Sequence, residues 1–352
     1  MTSRIRAVSF AGLIVVLPRI LSFPVLLCIA VAAWGQSAAP VPVTVDNFIR
    51  AETDRYFSTI VRNGLGKITH RRELVPIDQQ TAIRTNRDTL YSSGVFDLDA
   101  GPMNVILPDP GKRYMSLQVI DEDDYTPLVA YGAGSHTITR EQVGTRYALA
   151  IIRALVDPTN PKDLDQVHAL QDAVKVEQKN PGTFEVPNWD QASHKKVRDA
   201  LLVLFGTMDS KGTFGPRSQV DPVRHLIGTA YGFGGLPEKD ATYVNVTPTR
   251  NDGTVIYRLH VGDVPVDGFW SVSVYNQQGY FEPNKYDAYT LNNLTAKKSA
   301  DGSTTIQFGG CNGTIPNCLP TIEGWNYSVR LYRPRKEILN GQWKFPEAQP
   351  LS

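Results

Sequence analysis

Cysteine is scarce: the 352-residue chain holds three, Cys28, Cys311 and Cys318, too few for a disulfide-dense scaffold or a thiolate metal cluster. An excess of either charge is missing as well. With 36 Lys and Arg against 35 Asp and Glu the formal charge is +1, which excludes the basic surplus that a phosphate-neutralising nucleic-acid binder carries. The six histidines, His70, His136, His168, His194, His225 and His260, show no HxH or HExxH spacing, so no zinc site is expected. There is no GxSxG elbow for a serine hydrolase. The glycines of GFGGLP (232–237) lack the GK[ST] of a phosphate loop, so they are expected to serve tight backbone geometry. Neither a metal nor a cofactor is called for. What is present is ample: 41% hydrophobic and 20% charged residues exclude intrinsic disorder, and the length allows two domains, three at most, at roughly 100 to 200 residues each.

Long apolar runs are confined to the opening. Arg4 and Arg6 precede an apolar stretch from Ala7 to Leu17, Pro18-Arg19 interrupts it, and a second stretch runs from Ile20 to Trp34 before small and polar residues. This order predicts a signal peptide over residues 1–35, cut after Gly35. Retention as an N-terminal anchor is the alternative, although neither run alone reaches the ~20 residues that span a bilayer. Cleavage removes Arg4, Arg6 and Arg19 and no acid, leaving 33 basic against 35 acidic residues, a charge of −2. The expected location is periplasmic or secreted, without membrane contact after cleavage. Cys311 and Cys318 then remain in CNGTIPNC, and an oxidising compartment makes a disulfide between them the expected state, pinning the end of a hairpin.

The mature chain opens with Val45, Phe48, Ile49, Tyr56, Phe57 and Ile60 at helical spacing, stopped by Asn63-Gly64. From 89 to 130 short alternating runs are cut by turn residues. Met115, Leu117 and Val119 share one face of a strand, and Tyr114, Ser116 and Gln118 the other. Residues 146–156 read as a strand apolar enough to be buried on both sides. Helices return at Asn160-Pro161, which caps the run Leu164, Val167, Gln171 and Val174, then over 190–208 with Val197, Leu201, Leu204 and Phe205 inward, and again over 219–230.

The last third is densely β. Asn251-Asp252-Gly253 and Asp301-Gly302 read as hairpin turns. Val255, Tyr257, Leu259 and Val261 oppose Thr254, Ile256, Arg258 and His260. Trp270, Val272 and Val274 oppose Phe269, Ser271, Ser273 and Tyr275, and Trp325, Tyr327, Val329 and Leu331 oppose Asn326, Ser328, Arg330 and Tyr332. Such alternation predicts a mainly β protein built of sandwiches or jelly rolls. The expected division is 45–180 for an N-terminal β-sandwich with its leading helix, 181–218 for a helical connecting segment, and 219–352 for a C-terminal jelly-roll-like domain.

TNRDTLYSSGVFDLDAGP (85–102), RYMSLQVID (113–121) and RALVDPTNPKDLDQVHALQ (153–171) resemble the domain-of-unknown-function family numbered 1254. HLIGTAYGFGGLPEKDATY (225–243), PVDGFWSVSVYNQQGYFEPN (265–284) and NYSVRLYRPRKEILNGQWKFP (326–346) resemble its usual companion, family 1214. The resemblance covers nearly all of the mature chain. It implies an N-terminal immunoglobulin-like sandwich and a C-terminal jelly-roll-like sandwich with a helical insertion between them, and it implies no reaction. Where relatives tend to have NWLP, this chain has Asn317-Cys318-Leu319-Pro320, in keeping with a local staple.

Chemistry is densest at Asn86, Arg87, Asp88, Thr89 and Tyr91. Five hydrogen-bonding side chains at the start of one strand suit an anionic-substrate clamp, with Arg87 orienting, Asp88 as base and Tyr91 as proton donor, or else a buried turn network. The run Asp121, Glu122, Asp123 and Asp124 lacks the spacing of a calcium loop and reads as a solvated acidic turn. In YNQQGYFEPNKYDAYTLNN (275–293), Tyr275, Tyr280 and Tyr286 alternate with amides, a pattern that suits a glycan or other neutral ligand, an interface, or ordinary packing. Arg258 and His260, on the polar face of their strand, are expected to complete a wall with Tyr275. The expected activity is acid–base chemistry on a small or oligomeric polar substrate in a cleft between the two sandwiches. The alternative is a non-catalytic envelope module binding a glycan or protein partner. A homo-oligomer is compatible with either.

Overall fold

A computed structural model describes residues 39–80 and 83–351, so the expected signal peptide lies outside the described residues. Helix α1 (Phe48–Val61) leads into β1 (Thr69–His70), β2 (Thr89–Asp97), β3 (Met103–Leu107), β4 (Met115–Asp121), β5 (Leu128–Tyr131) and β6 (Gly134–Ile138). A short helix α2 (Arg140–Val143) precedes β7 (Tyr147–Leu155), α3 (Pro161–Ala173) and β8 (Lys175–Glu177). The sheet β1-β2-β7-β4-β5 is antiparallel throughout and packs on the small sheet β6-β3-β8. Alternation decides which side chains fill the space between them: Leu90 and Phe96 from β2, Met115, Leu117 and Val119 from β4, and Ala148, Ala150, Ile152 and Ala154 from β7. Asn160 caps α3 by accepting from the Lys162 amide, and Val167 anchors that helix to the same core.

Helices α4 (Gln191–Phe205) and α5 (Pro222–Gly232) follow. They pack with α1 through Phe48, Ala51, Leu201, Phe205, Ile227 and Ala230. Leu201 and Phe205 are inward as expected, but Leu204, about 100° round the helix from Phe205, lies at the edge of that stripe and is 49% exposed.

The chain then forms β9 (Ala241–Val246), β10 (Tyr257–Val261), β11 (Trp270–Tyr275), β12 (Thr290–Asn292), β13 (Thr304–Phe308), β14 (Cys318–Leu319), β15 (Asn326–Tyr332), α6 (Lys336–Leu339) and β16 (Gln349–Pro350). Two four-stranded sheets, β12-β11-β15-β9 and β14-β13-β10-β16, enclose a second core around Trp325, Tyr327, Phe308 and Leu259. The molecule is mainly β, as the alternation predicts. Two turns differ from expectation. Asn251-Asp252-Gly253 joins β9 to β10 and Asp301-Gly302 joins β12 to β13, and each pair of strands lies in different sheets, so these turns are corners between layers, not hairpins. The Cys311–Cys318 disulfide is formed, and it closes the loop that returns β14 parallel to β13 instead of ending a hairpin. A disulfide fits an oxidising compartment. Among the described residues no helix is long and apolar enough to cross a membrane.

Candidate functional site

Both faces of the five-stranded sheet are covered. At one end of its outer face Val95, Ile120, Tyr147 and Leu149 pack beneath Phe57 of α1. At the other end Tyr91, Arg153, Ser116 and Gln118 meet the outer face of sheet β12-β11-β15-β9. The alternation of β11 and β15 marked two faces correctly, but the polar one is buried too: all residues of both strands are buried. Register then builds the same triplet on each side of the junction. Arg153 stands opposite Tyr91 on β2 and Ser116 on β4; Arg330 stands opposite Tyr243 on β9 and Ser271 on β11.

Arg153 and Arg330 are 6% and 3% exposed, and among the described residues no carboxylate oxygen comes within 4.0 Å of either guanidinium. Neutral oxygens hold them. Arg153 donates to Gln118 Oε1 at 2.7 Å and to the Gly234 carbonyl at 3.2 Å. Arg330 donates to Ser273 Oγ at 2.9 Å, the Tyr275 hydroxyl at 2.6 Å and the Arg84 carbonyl at 2.7 Å. The GFGGLP loop is therefore the roof over Arg153. Gly235, whose carbonyl takes the Gln118 amide at 3.0 Å, has no room for a Cβ, which would sit 2.4 Å from the Phe214 ring.

Asn86 joins the two halves. Its Nδ2 lies 3.2 Å from Thr89 Oγ1, 3.2 Å from the Tyr91 hydroxyl and 3.0 Å from the Tyr332 hydroxyl. The two phenols have opposite electrostatics. Burial opposes ionisation of Tyr91, yet the Arg153 charge and the hydrogen bonds from Thr89 and Asn86 pull it below the usual tyrosine value. Tyr332 is pushed well up by burial and by its neighbours Tyr243 and Tyr91. Two titratable groups driven apart on one amide are a basis for assigning base and acid.

Asp88 spans the junction. It is fully buried, its Oδ1 accepts from Asn292 Nδ2 at 3.0 Å and Thr290 Oγ1 at 3.2 Å of β12, and its Oδ2 has no partner. Arg87 departs from expectation. It donates to the Val75 carbonyl and lies 5.3 Å from the Tyr289 ring centre; it precedes β2, so strand alternation does not bring it to the face that Tyr91 occupies. Arg258 and His260 are also misplaced by the expectation. They are exposed on β10, whose inward residues face the second core, so the whole C-terminal sandwich separates them from this junction. Tyr275 does line it, donating to the Thr85 carbonyl at 3.0 Å. Tyr280 is half-buried beside a turn held by Asn276, and Tyr286 donates to the Cys311 carbonyl at 2.7 Å. The hollow beside this tyrosine-rich stretch measures about 40 Å³.

A larger cleft, about 280 Å³, opens along β9, lined by Lys211, Phe214, Leu236, Thr242, Tyr243 and Asn245. Tyr243 belongs to both the cleft and the polar layer: Arg153 and Arg330 both act on its phenol. At the mouth Asn245 Nδ2 lies 3.5 Å from the Tyr231 hydroxyl. The acidic run sits elsewhere and is not solvated as expected. Asp124 is buried and accepts from the Gly234 amide and Thr229 Oγ1, while Asp121 accepts from the amides of Asp123 and Tyr125.

Fold and junction together define a protein of two β-sandwiches pressed on a shared, arginine- and tyrosine-rich polar layer. Residues 65–142 match the family model described as a protein of unknown function, DUF1254, and residues 241–336 match that of a second protein of unknown function, DUF1214, in the expected order. No curated protein matches the chain. The crystal structure of the VPA0106 protein from Vibrio parahaemolyticus is similar, with TM-score 0.65 and 18% identity over 88% of this chain and 100% of that one. So is an uncharacterised protein from Burkholderia cenocepacia, with TM-score 0.53 and 12% identity over 87% of this chain and 86% of that one. These likenesses establish the fold alone.

Proposed function

We propose that this chain is an exported enzyme that performs acid–base chemistry on a small polar substrate reached through the cleft along β9. Tyr91 is the proton-accepting group, Arg153 stabilises its ionised form, and Tyr332 supplies the complementary proton. The observation that carries this reading is a half-buried phenol, directly opposite a buried arginine that has no carboxylate partner and drawn below its usual value by that charge. Asp88 takes a different role from the one its sequence position suggested: it ties the two sandwiches together. The non-catalytic alternative needs a ligand seat among Tyr275, Tyr280 and Tyr286, but the Tyr275 and Tyr286 hydroxyls are already spent on the Thr85 and Cys311 carbonyls. The disulfide and the apolar opening of the sequence both support a periplasmic or secreted location.

The test is incubation of wild-type protein and Tyr91→Phe with a total small-molecule extract, read by mass spectrometry. Wild type is expected to deplete at least one compound while Tyr91→Phe, equally folded, depletes none. Equal depletion by both, or none by wild type, would defeat the proposal.

A further inference from the structure

Strand β9 closes one end of its sheet, and at six residues it is the longest strand at any sheet edge among the described residues, the others having two to five. An open edge invites a further strand, and proteins blunt such edges with charge or proline. The sequence of β9, ATYVNV, carries neither. Register shows which backbone groups are free. Arg333 donates to the Asp240 carbonyl at 2.8 Å, so alternation makes Leu331 with Thr242, Val329 with Val244 and Tyr327 with Val246 the hydrogen-bonded pairs between β15 and β9. Tyr243 and Asn245 therefore turn both amide and carbonyl away from β15, and among the described residues no hydrogen bond reaches those four groups. They lie two residues apart, the repeat at which an added strand bonds.

This edge faces a bounded space. The cleft of about 280 Å³ runs along Ala241 to Asn245, and Asp209, Ser210, Lys211, Phe214, Leu236 and Glu238 supply its other walls. Asp209 is met by Arg224 at 2.8 Å and acted on by Lys211, whereas among the described residues no cation comes within 4.0 Å of Glu238. We propose that the cleft binds an extended peptide that adds to β9 as a further strand, its backbone bonded to Tyr243 and Asn245 and one of its basic side chains paired with Glu238. Unpaired amides and carbonyls in an extended row match one chemistry above all, a second extended backbone. A second copy of this chain fits less well, because its β9 arrives flanked by the same walls that leave room here for a single strand. The proposal goes beyond the acid–base reading and rests on the backbone of β9, not on Tyr91. Since the same cleft is the route proposed for the substrate, a bound peptide would close that route.

The experiment selects a phage-displayed library of random heptapeptides on the whole protein; the enriched peptide is then synthesised and titrated by fluorescence anisotropy. Saturable binding is expected, with Lys or Arg among the enriched residues. Methylating single peptide amides should weaken binding roughly tenfold at every second position and spare the positions between, because only alternate amides of an added strand face β9. Asn245→Pro removes one edge donor, and an edge strand tolerates proline where its nitrogen faces outward, so binding should fall while the melting temperature holds. Asn245→Ala keeps that donor and should keep the affinity. Glu238→Gln should weaken the basic peptide several-fold. The proposal is overturned if no peptide is enriched, if amide methylation acts without alternation, if folded Asn245→Pro binds as wild type does, or if Glu238→Gln changes nothing. Should Asn245→Pro fail to fold, the methylation series, made on wild-type protein, decides alone. A dimer that dissociates in Asn245→Pro would make a second copy the occupant and defeat the peptide.

Discussion

Tyr91 and Arg153 stand directly opposite each other on adjacent strands, with the Arg153 guanidinium carbon 5.3 Å from the centre of the Tyr91 ring. Burial by itself would drive a phenol upward, as it does Tyr114 and Tyr243 in the same layer. Tyr91 moves the other way, so the neighbouring charge outweighs desolvation. One of the fifteen tyrosines is therefore expected to ionise before the others in a near-ultraviolet difference titration. Tyr91→Phe should remove that early step, and Arg153→Gln should move it into the main tyrosine wave. An unchanged titration in Tyr91→Phe would end the assignment.

Asp88 ties the two sandwiches together beside other crossing bonds, among them Asn86 to the Tyr332 hydroxyl and Arg330 to the Arg84 carbonyl. Removing its side chain leaves Asn292 Nδ2 and Thr290 Oγ1 without their acceptor in a dry interface, and the expected cost of Asp88→Ala is about 2 to 4 kcal/mol. Asn292→Ala should cost less, and the double variant should fall short of the sum, because both substitutions break one bond. Strict additivity in denaturant unfolding would show that the contact contributes nothing.

Much of this layering was legible in the alternation of single strands. Met115, Leu117 and Val119 could be assigned to one face, and Trp270 and Val272 to another, because period two follows from the backbone. What alternation could not say is where the polar face goes. Ser116, Gln118, Ser271, Ser273 and Arg330 look solvent-facing one strand at a time, and only the packing of one sandwich on the other buries them. Arg153, Arg330, Tyr243 and Tyr332 were missed as site residues for that reason. A signal did exist for Arg153: an arginine inside RYALAIIRALV, a strand expected to be buried on both sides, requires internal partners. Arg258 and His260 show the converse, since the polar face of β10 stays exposed. Arg87 lies ahead of β2, where strand alternation no longer sets the side a residue faces.

Stability should depend on pH in a particular direction. Burial raises Asp121 and Asp124 to about 7 and Asp54 to about 6, all above the roughly 3.9 of an unfolded aspartate. A raised acid stabilises the fold fully below its unfolded value and loses that contribution as pH climbs through its folded value. For Glu52, burial opposes ionisation, but hydrogen bonds from His194 and Arg55 prevail and lower it. For Asp97, burial again opposes, but bonds from Arg146 and backbone amides prevail. Their contribution is present above the unfolded value and disappears in stronger acid. The melting temperature should therefore be highest near pH 4 and fall from there to about pH 7, where the last of these carboxyls has ionised in the folded state. In Asp124→Asn the decline on the alkaline side should be shallower. A melting temperature that rises steadily from pH 5 to pH 8 would contradict the burial of these carboxylates.

The disulfide offers a test of locality. Cys318 lies on β14, at the edge of the sheet β14-β13-β10-β16, and the polar layer belongs to the outer face of the other sheet, with the second core between. The bridge closes a short loop whose constraint is worth about 2 to 3 kcal/mol in the chain-entropy account. It also fixes the Cys311 carbonyl that accepts from the Tyr286 hydroxyl. Cys311→Ser with Cys318→Ser should thus lower the melting temperature moderately, with the early-ionising tyrosine of the polar layer still present in the spectrum. The two readouts separate because β14 contributes only Leu319 to the core, whereas Tyr91, Arg153 and Asn86 are held by strands that the loop never touches. Loss of the early titration step on removing the bridge would mean that the loop and the polar layer form one cooperative unit, contrary to the division of labour between the two sheets.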